Sequence, residues 1–196
     1  MIAAVDEGRT IDITGHGDGP VAWGLTPKGL RVALLPYDED REVDTPSEFD
    51  AWPDGPREQP PGLGRLLVEL TDANGISAVA GQVTWHLESY GPTAGSQAWN
   101  IGIGLSPGTR GHGVGAVAQR LLAEWLLDTS GLDRVEASTD VENLPEQRAL
   151  EKAGFTQEGI ARSAQQRVDG RHDLFVYSLL REEVAADRRR LEASGG

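Results

Sequence analysis

A short run rich in glycine, from Arg110 to Gly115, constrains the fold of this chain more than any other feature. It lies between an alternating strand pattern over residues 99–105 and a helix whose apolar residues recur at the 3.6-residue period from Val114 to Leu126. The first N–H groups of a helix have no intrahelical partner, and the helix dipole favours an anion beside them. Because glycine lets a phosphate approach the backbone closely, the run indicates a phosphate-binding loop. A turn that only joins the strand to the helix is the simpler alternative.

Two better-known phosphate-binding patterns do not describe this loop. The P-loop pattern, Gly-x-x-x-x-Gly-Lys-Ser/Thr, does not occur in the sequence. The dinucleotide fingerprint needs Gly-x-Gly-x-x-Gly, whereas Gly111, Gly113 and Gly115 are evenly spaced. That fingerprint also stands near the front of a long series of parallel strands and helices. Here strands and hairpins come first, so the loop predicts an anion site of another kind.

Composition narrows the class of protein further. The 196 residues suit one domain, and 18 basic against 31 acidic side chains give a net charge of −13. Such acidity disfavours binding to nucleic-acid phosphates. The absence of cysteine excludes a disulfide framework, a thiolate zinc site and a cysteine nucleophile, and the four scattered histidines predict no metal. With no signal-peptide pattern and no run of about 18 apolar residues, we expect a cytoplasmic protein without a membrane partner.

The order of predicted elements is typical of an α+β protein. Residues 10–14 alternate weakly, residues 15–20 break that pattern, and the acidic, proline-rich residues 38–62 predict irregular backbone with at most a short helix near Ser47. Asn74-Gly75 predicts a two-residue hairpin turn, and Asp169-Gly170 a second hairpin. We expect strands over residues 21–25, 30–35, 66–70, 76–90, 99–105, 134–139, 158–168 and 174–180, and helices over 114–130, 143–153 and 181–191.

Two strand faces are candidates for parts of a functional site. In the strand over residues 76–90, the side chains of Thr84, His86, Glu88 and Tyr90 share one face. In the strand over residues 99–105, one face is apolar. The opposite face is nearly bare, because it carries Gly102 and Gly104. A bare face allows another group to approach the backbone closely.

Several of these motifs, taken in order, resemble the GNAT superfamily of acetyl-CoA-dependent N-acetyltransferases. The matching segments are Ile101 to Pro107, Arg110 to Gly115, Asn143 and Glu151 to Phe155. Arg167 to Asp173 followed by Tyr177-Ser178-Leu179 is similar to the RimJ/RimL-like branch. The resemblance spans roughly residues 64–181. It implies an α+β fold with a mixed, mostly antiparallel twisted sheet, flanking helices and a splayed central strand pair.

The resemblance also implies a co-substrate, acetyl-coenzyme A, and no metal. In the family the pyrophosphate lies on the glycine loop, and the pantetheine arm follows the strand that ends at Leu105 and Ser106. Asn143 matches the asparagine that contacts this arm, and Arg148 is a weaker candidate for the phosphates. The implied cofactor-binding residues are Ile103, Leu105, Arg110, Gly111, His112, Gly113, Val114, Gly115, Asn143 and Arg148.

For catalysis the resemblance implies direct attack of a primary amine on the thioester, without a covalent enzyme intermediate. The amine belongs to a protein N-terminus, an amino acid or a small molecule. The chain departs from the family pattern at Asn100, where a carboxylate is usual, and at Leu150, where other branches often have a tyrosine. Glu146 stands where the branch commonly has serine, so it is a candidate base. It also has the spacing that closes a capping box on Asn143.

Three further side chains are candidates for proton transfer, and each has a structural alternative. Glu88 and Tyr90 share the strand face that could reach the acceptor side, although a solvated or hydrogen-bonded strand face is the simpler explanation. Asn100 can position a relaying water, or it is a buried amide satisfied by neighbouring backbone. Because proton-transfer groups are replaced, a catalytically silent acyl-CoA-binding or sensor protein on the same fold is the alternative function.

The organisation expected from the resemblance is one acetyltransferase-like domain over residues 1–196. Residues 1–63 form a divergent acceptor-side segment, 64–181 the core with the cofactor motifs, and 182–196 a charged tail. The first segment offers little helical pattern, so we expect an open acceptor side or one completed by a second subunit in a homodimer. Nine acidic and two basic side chains between Asp38 and Glu58 either steer a cationic amine or form a solvated loop.

Overall fold

The computed structural model describes residues 10–11, 19–55 and 60–194, and these residues form a nine-stranded mixed sheet with three α-helices. The strands are β1 Thr10–Ile11, β2 Ala22–Leu25, β3 Arg31–Pro36, β4 Gly64–Thr71, β5 Ser77–Ser89, β6 Gln97–Leu105, β7 Arg134–Asp140, β8 Thr156–Arg167 and β9 Gly170–Leu180. The helices are α1 Val114–Thr129, α2 Leu144–Lys152 and α3 Arg181–Ser194. Most of the predicted pattern over residues 10–20, and the end of the acidic stretch at Glu58, lie outside the described residues.

The strand order is β1-β2-β3-β4-β5-β6-β7-β9-β8, and every neighbouring pair is antiparallel except β6 and β7. Those two strands run parallel and pair only from Trp99 to Ile101 against Val135 to Ala137. Beyond Ile101 on β6 and Ala137 on β7, both strands continue but no longer pair with each other. The predicted α+β fold, with a mostly antiparallel sheet and a splayed central pair, is confirmed.

The main core lies between the sheet and α1. The helix buries Ala118, Leu121, Leu122 and Leu126 against apolar side chains of the central strands. Each such leucine contributes about 1.5–3 kcal/mol relative to an exposed one. Trp125 packs edge-on against Trp85 of β5, with 5.3 Å between the ring centroids. Gly115 in the first turn of α1 lies beside the Leu105 side chain, so the start of the helix and the glycine loop pack against the end of β6.

The C-terminal helix α3 is held against α1 by ion pairs. The Arg188 guanidinium donates to both carboxylate oxygens of Asp128, at 3.0 and 2.7 Å. Asp187 accepts from the buried Arg120 at 3.1 Å. The sequence predicted this helix and a charged tail, and Arg188 connects that tail to the core.

The hairpin between β4 and β5 differs from its prediction. Its loop contains three residues, because the Asp72 N–H donates to the Ile76 carbonyl oxygen at 3.0 Å. A tight turn from Asp72 is followed by Gly75 in the left-handed region, with φ of +80°. Asn-Gly therefore serves here in a three-residue turn with a glycine bulge rather than in a two-residue turn. The hairpin between β8 and β9 is confirmed, with its turn at residues 168–169.

Residues 45–51, here called the strap, cross the face of the sheet opposite α1. The segment is irregular apart from a short 3-10 turn at Glu48–Asp50, as predicted. The Arg110 guanidinium donates to the carbonyl oxygen of Pro46, and the Val168 N–H donates to that of Ala51. Near its start, Thr45 lies so close to Gly104 that a Cβ there would be 2.6 Å from the Thr45 hydroxyl. The bare strand face thus admits the strap, which covers part of the side expected to be open.

Candidate active site

The glycine loop brings backbone N–H groups to the end of β6. Gly113 is the N-cap of α1 and has φ of +83°, a conformation that favours glycine. It has no side chain to cap the helix, so the first N–H groups of α1 receive no side-chain acceptor there. These groups and the helix dipole form a positive local field suited to an anion.

A cavity of about 500 Å³ opens between this loop, the end of β6, α2 and the strap. The residues that line it include most of the predicted cofactor-binding set. They are Thr45, Ser47, Glu48, Phe49, Ile103, Gly104, Leu105, Arg110, Gly111, Gly113, Gly115, Ala116, Asn143, Pro145, Glu146, Arg148, Ala149 and Lys152. We call this the first cavity.

Two cations on α2 face the first cavity. Arg148 was expected there, whereas Lys152, one turn further along the helix, was missed. Its spacing of four residues from Arg148 could have predicted this position, since residues i and i+4 lie on one helix face. The Arg110 side chain lines this cavity as expected, and its guanidinium also makes structural contacts. It donates to the carbonyl oxygen of Leu105, at 2.8 and 3.0 Å, and to that of Pro46, so it joins loop, strand and strap.

Two other residues of the predicted cofactor set do not line the first cavity. Val114 is 1% exposed and belongs to the core. His112 is exposed, and its Nδ1 lies 2.7 Å from the carbonyl oxygen of Arg110. The loop therefore presents its backbone and its glycines to the cavity rather than these side chains.

A second cavity, of about 170 Å³, lies where β6 and β7 separate. The residues that line it are Ser47, Phe49, Ile101, Gly102, Ile103, Ala137, Ser138, Thr139, Asp140, Asn143, Glu146, Gln165, Arg167 and Leu174. Ser47, Phe49, Ile103, Asn143 and Glu146 line both cavities. These five residues form the shared wall between them.

Glu146 is the carboxylate on the shared wall. Burial raises its pKa to about 7, although a hydrogen bond from Gln119 opposes that rise. The capping-box interpretation is not supported, because the Asn143 N–H donates to the carbonyl oxygen of Asp140 at 3.0 Å. Asn143 still caps α2, since its Oδ1 accepts from the Glu146 N–H at 3.3 Å. The Glu146 carboxyl is therefore not tied to the N-cap amide and changes charge near neutral pH.

The other proton-transfer candidates lie away from both cavities. The Tyr90 hydroxyl donates to Glu136 at 2.7 Å, and burial followed by this carboxylate raises the pKa of Tyr90 to about 12. Glu88 is hydrogen-bonded to His86 at 3.1 Å. Asn100 lies on the same sheet face, paired with His86 on β5 and with Glu136 on β7. The structure brings neither these three nor the core residue Leu150 to the shared wall.

A buried ionic cluster at the end of β7 supports the second cavity. Arg167 donates to Asp140 at 2.6 Å, and both residues are almost fully buried. His172 lies 2.9 Å from the same carboxylate and 2.9 Å from Asp169. Its pKa is raised chiefly by Asp169 and also by Asp140. In the sequence, Arg167 and His172 stood out only as parts of a motif. Their contacts with Asp140 depend on strand pairing, which the sequence does not show.

Within the described part of the chain, no group of three or more His, Cys, Asp or Glu side chains has the arrangement of a metal site. None of the helices in that part has the length and apolar character needed to cross a bilayer.

Comparison with known proteins identifies the family. A family model described as the acetyltransferase (GNAT) domain matches residues 31–156, which is more than half of the chain. The chain therefore belongs to the GNAT acetyltransferase family.

Individual relatives agree with this membership. The chain is 42% identical over 62 residues to Bacillus subtilis YjcK, named an N-acetyltransferase; the match covers 32% of this chain and 34% of that relative. A solved structure described as an acetyltransferase has a TM-score of 0.60 at 24% identity, with 83% of this chain and 89% of the other covered. Mycobacterium smegmatis RimJ in complex with CoA-disulfide has a TM-score of 0.50 at 26% identity, with 67% and 60% covered.

Proposed function

We propose that this protein transfers an acetyl group from acetyl-coenzyme A to a primary amine, with both substrates bound at once. The observation that carries the proposal is the shared wall, which places one titratable carboxylate, Glu146, between two cavities. The first cavity suits a polyanion, and the second is a polar space at the strand splay. Family membership supports the activity as well.

The first cavity fits coenzyme A on features of this chain. Glycine-lined backbone at the start of α1 would hold the pyrophosphate, and Arg148 and Lys152 on α2 would hold further phosphate charge. Asn143 offers an amide group that donates no hydrogen bond within the described residues. The unpaired edge of β6 beyond Ile101 supplies backbone groups for the arm of the cofactor. When bound, acetyl-coenzyme A supplies the acetyl group as a thioester.

The residues of the shared wall then perform two tasks. Glu146, ionised above about pH 7, accepts a proton from the incoming ammonium group and leaves a nucleophilic amine. Backbone N–H groups of β6 beyond Ile101, where its pairing with β7 ends, would stabilise negative charge on the thioester carbonyl oxygen. The departing thiol, whose pKa resembles the about 8.5 of cysteine, needs no strong acid. Leucine at position 150, in place of a tyrosine, is therefore compatible with turnover.

We further propose membership of the RimJ/RimL-like branch. The run from Arg167 to Asp173 supports it, and so does the likeness to Mycobacterium smegmatis RimJ. A single domain, a homodimer, a cytoplasmic location and steering of cationic amines by the acidic segment stay predictions. For steering, KM of the amine should rise with ionic strength.

The experiment that tests the proposed function has two readouts on the full chain. Titration with acetyl-coenzyme A by calorimetry measures binding, and thiol release in the presence of amines, amino acids and peptides measures transfer. We expect binding below millimolar concentration and release that depends on the amine. No binding at millimolar ligand contradicts the proposal, whereas binding without release on the whole panel favours the silent alternative.

Reversing the charge of the two cations on α2 should weaken cofactor binding. In the double variant Arg148→Glu and Lys152→Glu, we expect Kd for acetyl-coenzyme A to rise about tenfold or more, equal to about 1.4 kcal/mol. The reason is the loss of attraction to a polyanion and the addition of repulsion. A control with Arg162→Glu and Arg189→Glu has the same net charge on exposed residues outside both cavities. Equal weakening in both variants would contradict local recognition.

A further inference from the structure

The second cavity is small, and much of its wall belongs to paired strands and a buried ion pair. At about 170 Å³ it lies well below the about 300 Å³ of the smallest sites for drug-sized ligands. Strands β6 and β7 provide one side, and the buried Asp140 and Arg167 provide another. Enlarging it on these sides would pull β6 from β5 or β7 from β9, or would break the buried ion pair. The rest of the wall comes from the start of α2, through Asn143 and Glu146, from Gln165 and Leu174 on β8 and β9, and from the strap, through Ser47 and Phe49. Of these, the strap belongs to neither the sheet nor a helix of the core.

Phe49 is held in place from several directions. The Ser47 hydroxyl accepts from the Phe49 N–H at 3.2 Å and so fixes the turn that carries the ring. The guanidinium of Arg167 lies 5.7 Å from the centroid of that ring, a cation–π contact. Arg167 is itself bound to Asp140 and Gln165. The strap is bonded on both sides of Phe49, at Pro46 and at Ala51.

Phe49 also belongs to the shared wall, so it borders both the acceptor space and the place where transfer would occur. We infer that Phe49 sets the size limit of the acceptor, and that the acceptor is a primary amine carried on a small group. This inference rests on the proposed function, because it assigns the second cavity to the amine. A larger group next to the amine would collide with a ring that is fixed by Ser47 and Arg167.

The inference is tested with amines that share one reactive group and differ in size. We would measure kcat/KM by thiol release for glycinamide, alaninamide, leucinamide and phenylalaninamide, with the wild type, Phe49→Leu and Phe49→Ala. In the wild type the two small amides should be preferred. In Phe49→Ala, the ratio of kcat/KM for phenylalaninamide to that for glycinamide should rise about tenfold or more, because selection by a hydrophobic wall has this magnitude. Phe49→Leu should give an intermediate ratio.

Tyr37→Ala is the matched control. Tyr37 stands at the start of the same irregular region and also packs against an arginine, with Arg65 5.4 Å from its ring centroid. It lines neither cavity, so its removal should leave the ratio unchanged. Calorimetric binding of acetyl-coenzyme A to each variant shows that the first cavity and the fold are intact.

The outcomes separate the inference from the function on which it rests. If the wild type acetylates amines but Phe49→Ala leaves the size ratio unchanged, Phe49 does not set the limit and the proposed function still holds. If acetyl-coenzyme A binds and no amine is acetylated, the proposed acetyl transfer and the size limit at Phe49 are both contradicted. Peptides that begin with glycine or phenylalanine distinguish the two sources of a small acceptor. Acetylation of peptides that begin with glycine indicates that the acceptor is a protein N-terminus. Acetylation of the free amides alone indicates a small molecule. Either result supports the size limit when the corresponding phenylalanine compound is not acetylated.

Discussion

Replacing Glu146 by Gln is expected to lower kcat about 100-fold or more at pH 8, with little change in acetyl-coenzyme A binding. The amide has nearly the same shape but cannot accept the proton of the attacking ammonium group, and general base catalysis contributes about 10²–10⁴-fold. In the wild type, kcat/KM should rise with pH through an ionisation near 7, the value to which burial raises the pKa of this carboxyl. Steady-state thiol release between pH 5.5 and 9 measures both effects.

The control for this variant is Glu142→Gln. Glu142 is an exposed acid just before the same helix and lines neither cavity, so it should keep its rate and its pH profile. An unchanged ionisation near pH 7 in Glu146→Gln would show that another group supplies it. A rate within threefold of the wild type would remove Glu146 from the mechanism.

The same variant should be more stable than the wild type above pH 7. Because the folded-state pKa of about 7 exceeds the ordinary 4.5, the folded protein binds more protons than the unfolded chain between these values. The wild type therefore loses stability as pH rises through that window, by an amount on the order of 1–3 kcal/mol. Glutamine does not ionise and avoids the loss. Urea unfolding at pH 5 and pH 8 measures the difference, and a constant loss of about 1 kcal/mol at both would instead indicate a cap.

The second large effect is expected at Asp140. Asp140→Ala should lower the free energy of unfolding by about 3–5 kcal/mol, because it leaves the buried Arg167 guanidinium without its carboxylate. The Glu142 N–H, which donates to the same carboxylate at 2.8 Å, also loses its acceptor near the start of α2. Urea unfolding at pH 7 measures the loss. Acetylation should fall too, since the wall of the second cavity loses its support.

Two further variants test whether the unpaired charge of Arg167 causes this loss of stability. Asp169→Ala removes the other, exposed carboxylate beside His172 and should change stability little, because exposed pairs contribute little. Adding Arg167→Met to Asp140→Ala should restore much of the loss, since the isolated buried charge is then gone. Equal stability of Asp140→Ala and the wild type would contradict the cost assigned to this charge.

The fold was largely predictable because its signals are local. Alternating apolar residues, helix caps and turn residues act over a few positions, and the strands and helices follow them closely. The glycine loop was recognised in the same way, since a helix start and its glycines are neighbours in sequence. Even the error at Asn74-Gly75 is local: the dipeptide predicts a hairpin, but not whether two or three residues form its loop.

The site was predictable only where one short segment forms it. Alternation placed Glu88 and Tyr90 on one face of their strand but gave no lateral distance to the splay, and the Tyr90 hydroxyl donates to Glu136 instead. Lys152 was missed although its helical spacing from Arg148 pointed to it. Phe49 gave no signal, because its role depends on a strap that meets strands more than 50 residues away.

By itself the sequence determined most of the elements, the glycine loop at the start of α1 and the list of residues near it. These follow from backbone conformations and helix ends, which a few neighbouring side chains decide. Only the tertiary structure decided which role Glu146 can have. Its pKa depends on burial between two cavities, and the Asn143 N–H, which a capping box would direct to Glu146, donates to the carbonyl oxygen of Asp140. The same holds for the second cavity, whose size is set by strands that separate and by a distant strap folded across them.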